Sequence, residues 1–445
     1  MLRSENKNKF IALTMVFLLV LAVPVALVRI CKAVPMITGE EVIRASGAYG
    51  TITDRDGTVL YDNTNTEHYP ELYHSITGNF ESSVSCLVKS YGKELAPQLR
   101  PLAGVDAMTE GSVMTTTLLD PESLQGLSDA FGGKGGAVFA YNYQTGEVYA
   151  ALSVDGETTY DGNRALSGRY VPGSTMKIVA TLVALEQDLT LPQRISYDCG
   201  GSYTLPDGAQ VDCIEGHHGQ CGIVEALGMS CNGTFAGMIQ QLNSVLARDT
   251  LRQMGFSWVS AADVGQTLPT GDMGDMIGIR AGSQTQFDSN SSYNDVWSLI
   301  GQGTSWVSLS DMCAIAGAVA NGGESAQPYL VSDITNAKGK TVLTAETASV
   351  SRFSRETADA MDAIWTESVE AYYRQGANAL DEAISYGKTG TAQLGNGTVN
   401  KLLLGVSKEC STAFMIVVEN YRNGDPTPIS IANTLVEVLP KEETT

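Results

Sequence analysis

The sequence has little positive charge, few histidines and no internal repeat. Only 28 of its 445 residues are lysine or arginine, against 49 aspartates and glutamates, so its formal net charge is −21. This charge argues against nucleic acid as a partner, because no basic surface is available to neutralise phosphates. Four histidines are also few for a metal enzyme. We therefore expect no nucleic acid, no metal and no cofactor.

Long apolar runs are equally scarce, with one exception close to the start of the chain. The run from Phe10 to Val28 would span roughly 28 Å as a helix, at about 1.5 Å per residue. Three cations precede it, namely Arg3, Lys7 and Lys9. Positive residues stay on the cytoplasmic side of a membrane. The pattern predicts a cytoplasmic tail at residues 1–9, a single-pass anchor at residues 10–30 and a main part outside the cell.

Two other interpretations of this apolar run remain open. A cleaved signal peptide has a shorter apolar core and small residues at its cleavage site. Here the run is long, and the sequence after it is Arg29, Ile30, Cys31 and Lys32. A lipid attached at Cys31 is disfavoured for the same reason. We therefore favour the anchor.

Four of the eight cysteines fall within a short stretch, at Cys199, Cys213, Cys221 and Cys231. An exported chain can form disulfides, but their pairing cannot be deduced from spacing. His217 and His218 lie among these cysteines and raise the alternative of zinc. The tight C-x2-C pairs of common zinc sites are lacking, however. We expect buried thiols or one disulfide here, between Cys199 and Cys213.

The chain divides into a small first region and a larger second one. Residues 36–130 are mixed and polar, with a hairpin predicted at Thr51–Leu60 around an Asp-Gly turn. The glycine-rich stretch at 132–136 marks the boundary between the two regions. Residues 131–445 then form the main domain.

Hydrophobic patterns place strands at both ends of the main domain and helices between them. A hairpin is expected at residues 137–154, and further strands at 383–393, 401–407 and 411–419. Helices are expected at 174–187, 223–229, 234–247, 308–320, 355–373 and 429–439. This order indicates an α/β (α+β) fold in which helices pack against one antiparallel sheet.

The first candidate catalytic pair is Ser174 and Lys177, which follow Val171-Pro172-Gly173. Ser174 falls where a helix begins, and Lys177 lies one turn further on the same face. A serine hydroxyl needs a base to become a good nucleophile. A lysine amine can be that base where burial lowers its pKa, and the helix that follows is mostly apolar. The simpler interpretation of Ser174 is a helix cap.

Two further motifs supply polar groups. Ser230 and Asn232 flank Cys231 after a short helix, where a hydroxyl can relay a proton and an amide can hold a carbonyl. Alternatively they are cap and turn residues. Lys388-Thr389-Gly390 occurs once, on an expected strand. Its cation, with the hydroxyls of Thr389 and Thr391, suits a carboxylate, although an edge-strand lysine can also serve only to prevent aggregation.

Together these motifs resemble a known enzyme family. Ser174-x-x-Lys177, Ser230-x-Asn232 and Lys388-Thr389-Gly390 stand in the order typical of class A β-lactamases and penicillin-binding proteins. Other stretches are similar to class B penicillin-binding proteins, including Asp56-Gly57, Gly301-Gln302-Gly303, Asn321-Gly322-Gly323 and the KTGTAQ sequence at 388–393. The resemblance covers roughly residues 45–65 and 135–435.

The resemblance implies a peptidoglycan D,D-transpeptidase with a β-lactamase-like fold. Ser174 would attack the D-alanyl-D-alanine end of a stem peptide, and Lys177 would accept its proton. The backbone N–H groups of Ser174 and Thr391 would form the oxyanion hole. Ser230 would pass a proton to the leaving amine, and Asn232 would hold the peptide. Lys388, Thr389, Gly390 and Thr391 would bind the terminal carboxylate.

The implied partners follow from this activity. They are peptidoglycan stem peptides, the lipid-linked precursor and β-lactams. No glycosyltransferase domain fits between the anchor and the main domain, so a polytopic membrane glycosyltransferase is expected to meet the anchor. The implied setting is wall synthesis for cell shape or division. Alternatives at the same site are a D,D-carboxypeptidase, a β-lactamase and a non-catalytic β-lactam receptor or scaffold.

Overall fold

The computed structural model describes most of the chain after the apolar run. It covers residues 50–62, 70–77, 86–95, 112–156, 163–214, 216–258, 283–285, 287, 293–395 and 397–441. The predicted tail and anchor at residues 1–30 lie outside these ranges. Within them, no helix combines the length and apolar character that a membrane crossing requires.

A five-stranded antiparallel sheet forms the centre of the main domain. Its strand order is β16-β17-β18-β4-β5, with β4 at Gly136–Asn142, β5 at Val148–Val154, β16 at Tyr386–Gln393, β17 at Val399–Ser407 and β18 at Thr412–Val418. The hairpin of β4 and β5 is the predicted one. Because β18 pairs with β4, strands from the two ends of the domain share one sheet. The predicted antiparallel sheet is therefore confirmed.

Helices cover both faces of this sheet. The helices are α1 Pro70–Thr77, α2 Leu87–Ser90, α3 Gly92–Leu95, α4 Pro121–Asp129, α5 Arg164–Ser167, α6 Met176–Gln187, α7 Leu191–Arg194, α8 Ile223–Gly228, α9 Asn232–Ile239, α10 Ser244–Gln253, α11 Tyr293–Leu299, α12 Leu309–Ala320, α13 Arg355–Tyr372 and α14 Pro428–Val438. Both α12 and α14 pack against β17 and β18. Every residue of β4 and β18 is buried, so neither sheet face is left to solvent.

Helix α6 is the centre of the helical layer. It is apolar on nearly all sides, and residues from Met176 to Leu185 are buried. A helix that is hydrophobic all round belongs inside a domain. Its neighbours include α9, α10 and α13. The residues at its first turn are consequently held by packing from several directions.

One predicted helix is wrong in its length. The segment 234–247 was expected to be a single helix, but α9 ends at Ile239 and α10 begins at Ser244. Asn243 has extended backbone angles, and its side chain accepts hydrogen bonds from the backbone N–H groups of Val245 and Leu246. Asparagine favours this N-cap position over a helix interior. The cap therefore starts a new helix where hydrophobic spacing alone suggested a continuous one.

A second five-stranded sheet combines the small first region with a segment of the main domain. Its order is β14-β13-β3-β1-β2, with β1 at Thr51–Thr53, β2 at Val59–Tyr61, β3 at Val113–Thr116, β13 at Val331–Thr335 and β14 at Thr341–Thr344. The predicted hairpin of β1 and β2 is confirmed. Strand β13 pairs with β3, so the main domain supplies two strands to this sheet.

Short strands join the remaining segments. Two pairs lie before α8: β6 Tyr197–Cys199 with β9 Gly219–Cys221, and β7 Ser202–Thr204 with β8 Gln210–Asp212. The others are β10 Ser257–Trp258 with β11 Gln284–Thr285, and β12 Glu324–Ala326 with β15 Ser349–Ser351. The first two pairs form one side of the candidate site.

Candidate active site

Ser174 lies in a one-turn 3-10 helix, Gly173–Thr175, which leads directly into α6. Gly173 has a φ of 54°, a left-handed conformation that glycine adopts without a steric penalty. Its N–H donates to the carbonyl of Gly301 over 2.8 Å. A Cβ on Gly301 would lie 1.8 Å from the Gly173 oxygen. Both glycines are thus needed for the tight turn that presents Ser174.

Lys177 connects the serine to the second motif. Its side chain is fully buried, and Nζ donates to Ser174 Oγ over 2.9 Å, to the Ser230 carbonyl over 2.8 Å and to Asn232 Oδ1 over 2.7 Å. The Phe235 ring lies 5.5 Å from the same nitrogen. Three polar contacts in a buried place fix the amine beside the hydroxyl, within reach of a proton transfer between the two groups.

Ser230 and Asn232 lie on either side of the start of α9. Ser230 has a φ of 57°, which is uncommon for a residue other than glycine and costs about 1–3 kcal/mol. Asn232 is the first residue of α9, and its Nδ2 donates to the Asp212 carbonyl over 2.7 Å. The unusual backbone angle turns the Ser230 carbonyl toward Lys177 while its hydroxyl meets Lys388.

Lys388 approaches Ser230 from the opposite side, on edge strand β16. Its side chain is only 1% exposed, and Nζ donates to Ser230 Oγ over 2.5 Å and to the Thr389 carbonyl over 2.9 Å. Tyr373 OH lies 3.4 Å from Nζ and 3.0 Å from Thr389 Oγ1. Ser230 is therefore contacted by both buried lysines, through its carbonyl on one side and its hydroxyl on the other.

Strand β16 approaches the Ser174 turn closely. A Cβ on Gly390 would lie 2.7 Å from the Pro172 carbonyl and 3.1 Å from Thr175 Cγ2. Gln302 Nε2 donates to the Thr391 carbonyl over 3.0 Å, which ties the segment after Gly301 to the same strand. The lack of a side chain at Gly390 lets the strand lie against the serine turn.

Helix α13 supports the start of β16. The ring of Trp365 stacks on Tyr386 with centroids 4.9 Å apart, and its Nε1 donates to the Gly387 carbonyl. Tyr386 donates to Asp362, and burial together with this neighbouring carboxylate raises the pKa of Tyr386. Burial alone would raise the pKa of Asp362, but hydrogen bonds from Lys408 and Tyr386 outweigh it and lower that pKa. These contacts fix the strand just before Lys388.

An open cleft of about 250 Å³ lies above these groups. Its lining includes Ser174, His218, Ser230, Asn232, Thr389, Gly390, Thr391, Lys401, Leu402 and Tyr421. Lys401 Nζ donates to Thr391 Oγ1 over 2.8 Å and lies 5.7 Å from the Tyr421 ring centroid. A second cation therefore stands next to the threonine hydroxyls, in surroundings that favour an anionic ligand.

The structure brings the predicted site residues together. Ser174, Ser230, Asn232, Thr389, Gly390 and Thr391 line one cleft, and Lys177 and Lys388 contact the hydroxyls of its serines. The backbone around Ser174 also lies next to Thr391, since a Cβ built on the neighbouring Gly173 would be 2.9 Å from the Thr391 nitrogen. The two backbone segments expected to form the oxyanion hole are therefore adjacent.

Sequence reasoning missed Lys401 and Tyr373 as residues of the site. Lys401 is opposite Thr391 in the pairing of β16 with β17, so a correct strand register would have revealed it. Tyr373 directly follows α13, and no local pattern indicates that its hydroxyl reaches Thr389.

The expected disulfide is not formed in the structure. Cys199 Sγ and Cys213 Sγ lie 3.6 Å apart, whereas a disulfide needs about 2.05 Å. All seven cysteines of the described residues are free and buried. The prediction of buried thiols is therefore the one that this structure agrees with.

Comparison with known proteins places this arrangement in a family. The family described as "Penicillin binding protein transpeptidase domain" matches residues 136–437. Penicillin-binding protein 1A of Mycobacterium tuberculosis is 27% identical over 73% of this chain, and stage V sporulation protein D of Bacillus subtilis is 30% identical over 54%. The aligned segments make up 38% and 35% of those relatives, so the chain spans well under half of their length.

Solved structures show the same fold. Penicillin-binding protein A from M. tuberculosis, as its ceftriaxone acyl-enzyme complex, aligns with a TM-score of 0.72 at 22% identity, covering 88% of this chain and 98% of that one. The D,D-transpeptidase domain of a peptidoglycan glycosyltransferase from Eggerthella lenta aligns with a TM-score of 0.68 at 20% identity, covering 88% and 97%. With the family match extending over more than half of the sequence, this chain belongs to the penicillin-binding protein transpeptidase family.

Proposed function

We propose that this protein is a serine D,D-transpeptidase that cross-links peptidoglycan and is acylated by β-lactams. The observation that carries the proposal is the position of Lys177 Nζ, 2.9 Å from Ser174 Oγ and also in contact with Ser230 and Asn232. A buried amine at this distance can take the hydroxyl proton during attack. The family to which the chain belongs supports the same chemistry.

In the first step, Ser174 Oγ attacks the carbonyl between two terminal D-alanines while unprotonated Lys177 accepts its proton. The negative charge on the carbonyl oxygen is stabilised by the backbone N–H groups of Ser174 and Thr391. One such donor is worth about 3 kcal/mol in other enzymes. The C–N bond then breaks, Ser230 gives its hydroxyl proton to the departing amine of D-alanine, and Ser230 is reprotonated with the proton that Lys177 took from Ser174. An ester between Ser174 and the peptide remains.

The acidic end of the donor peptide binds along β16. Lys388 supplies charge from beneath the cleft, and Thr389 and Thr391 supply hydroxyls within it. Lys401 adds a second cation beside Thr391. Asn232 is held by Lys177 and the Asp212 carbonyl in a position to meet the peptide backbone.

In the second step, an amine of another stem peptide attacks the ester. Its proton returns through the same Lys177 and Ser230 pair, the ester bond breaks, and Ser174 is regenerated. The product is an amide cross-link. Water in place of the amine would give a carboxypeptidase, and water acting on a β-lactam adduct would give a β-lactamase.

We also propose the arrangement of the whole chain. Residues 1–9 would be cytoplasmic, residues 10–30 would cross the membrane once, residues 36–130 would form a short pedestal and residues 131–445 the transpeptidase domain outside the cell. The lipid-linked precursor and its polymer would come from a polytopic membrane glycosyltransferase that meets the anchor.

The decisive experiment is intact-protein mass spectrometry after exposure to benzylpenicillin. Opening of the β-lactam ring leaves the whole antibiotic attached, so one full adduct mass is expected, mapped to Ser174 by peptide analysis. Ser174→Ala should form no adduct. Ser90→Ala is the matched control, because Ser90 and Lys93 repeat the same spacing elsewhere in the chain and Ser90 is exposed.

The same preparation separates transpeptidation from the alternatives. With a donor ending in D-alanyl-D-alanine and an added D-amino acid, the amide product should exceed the hydrolysis product. A penicillin adduct that decays within seconds would instead indicate a β-lactamase. A wild-type protein that never forms an adduct would overturn the proposed function.

A further inference from the structure

A cluster of metal-binding side chains lies behind the wall of the cleft. The Sγ atoms of Cys199, Cys213 and Cys231 and a ring nitrogen of His218 all lie within 4.8 Å of one another. The three cysteines are buried and the histidine is half-buried. Three thiols and one imidazole are a common ligand set for structural zinc.

The spacing of these atoms fits a tetrahedral zinc ion. With Zn–S of about 2.3 Å and Zn–N of about 2.0 Å, a tetrahedron has edges of about 3.8 Å between two sulfurs and about 3.5 Å between sulfur and nitrogen. The structure gives 3.6 Å for Cys199 to Cys213, 4.0 Å for Cys213 to Cys231 and 3.5 Å for Cys199 Sγ to His218 Nδ1. The other three pairs lie within 4.8 Å, so the ligands need shifts on the order of 1 Å to bind the ion.

Backbone pairing holds three of the four ligands in place. Cys199 ends β6, and its carbonyl accepts from the N–H of His218, just before β9. The N–H of Cys213 donates to the Gly201 carbonyl over 2.8 Å. The fourth ligand, Cys231, is the N-cap residue of α9. Two short strand pairs and a helix end thus converge on one point, which explains why ligand spacing along the sequence gave no clear zinc pattern.

A disulfide accounts for less of this arrangement. It would join two of the three sulfurs and leave the third cysteine and the histidine without a role. It would also require Cys199 and Cys213 to approach to about 2.05 Å. A single ion gives all four side chains a role, and three of the six distances between them already match a tetrahedral site.

We propose that Cys199, Cys213, His218 and Cys231 bind one structural zinc ion. On binding, the three thiols release their protons, giving three thiolates and a neutral imidazole around Zn²⁺. Cys231 lies between Ser230 and Asn232 in sequence, so the ion fixes the backbone that carries both site residues. It also offsets the strain of Ser230, whose φ is 57°.

Metal content of the full-length protein, purified without chelator, tests the site directly. One zinc per chain is expected by elemental analysis, and replacement with Co²⁺ should give the thiolate charge-transfer and visible bands of a tetrahedral cobalt site. Cys213→Ser and Cys231→Ser should each lose most of the metal. Cys313→Ser is the matched control, because Cys313 is also fully buried but lies on α12, outside the cluster. Zinc-free wild-type protein, or native protein whose mass shows a Cys199–Cys213 disulfide, would overturn the proposal.

The effect of the ion on the cleft rests on the proposed function and is measured separately. Removing zinc with a chelator should lower the melting temperature and slow penicillin acylation of Ser174 about tenfold, and adding zinc back should restore both. Support groups of metal sites typically change activity by about 10–100-fold. If the protein binds zinc but is never acylated by penicillin, the metal site is supported and the proposed transpeptidase function is overturned. An unchanged acylation rate after zinc removal would show that the ion does not position Ser230 and Asn232.

Discussion

The two sides of the cleft are built by different means. The strand wall, residues 386–393, is the edge of a sheet in which eight successive residues pair with β17, and α13 supports its start. The loop wall, residues 197–214 and 216–232, consists of three-residue strands, the short helix α8 and the start of α9. Extended pairing positions Lys388, whereas short strand pairs and the start of α9 position Ser230. A fold can thus position one wall of a cleft through the register of a long strand pair and the other wall through several short, local contacts.

The largest effect is expected where the two walls meet, at Lys177. Lys177→Met keeps an unbranched apolar stem of similar length but removes the contacts to Ser174, Ser230 and Asn232. We expect penicillin acylation at least about 10³-fold slower, because general base catalysis contributes about 10²–10⁴-fold. Stopped-flow measurement of adduct formation checks this. Lys340→Met, in an exposed turn, should be unchanged, and an acylation rate within threefold of wild type for Lys177→Met would exclude this lysine as the base.

A smaller loss is expected from displacing the strand wall. Gly390→Val places a branched side chain where a Cβ alone would lie 2.7 Å from the Pro172 carbonyl. The strand must move away from the Ser174 turn, so we expect acylation about 10–100-fold slower. Gly395→Val is the control, since it lies in open space beyond the same strand. Equal rates for the two variants would show that strand and serine turn need not be in contact.

A substitution at the loop wall should change the acylation rate least and the thermal stability most. Gly233 directly follows the loop wall and packs against its first residue, so in Gly233→Ala the new Cβ would lie 2.5 Å from Tyr197 Cε1. Overpacking costs about 1–3 kcal/mol, which exceeds the gain of about 1 kcal/mol from alanine in a helix. We expect a lower melting temperature and acylation about threefold slower. A melting temperature above that of wild type would mean that this wall is loose enough to absorb the methyl group.

The sequence predicted those features whose signals are local. Ser174 and Lys177 are one turn apart, the β4–β5 hairpin has a short turn between apolar strands, and Lys388 follows a strand-like segment. Each needs only a few neighbouring residues to be recognised.

Features that depend on distant pairing were missed. Lys401 enters the site only through the register of β16 with β17, and the cysteine cluster forms only after two strand pairs have closed. The break between α9 and α10 depended on how Asn243 uses its side chain, since hydrophobic spacing runs through it. Tertiary context decided the first two features, and a local side-chain cap decided the third.

The shared second sheet has a practical consequence for expressing the protein. Strand β13 of the main domain pairs with β14 on one side and with β3 on the other, and β3 in turn pairs with β1. A truncated protein that starts at residue 131 would lose β3, and β13 would then present an unpaired edge of backbone donors and acceptors, which invites aggregation. The transpeptidase domain should therefore be expressed together with residues 50–130.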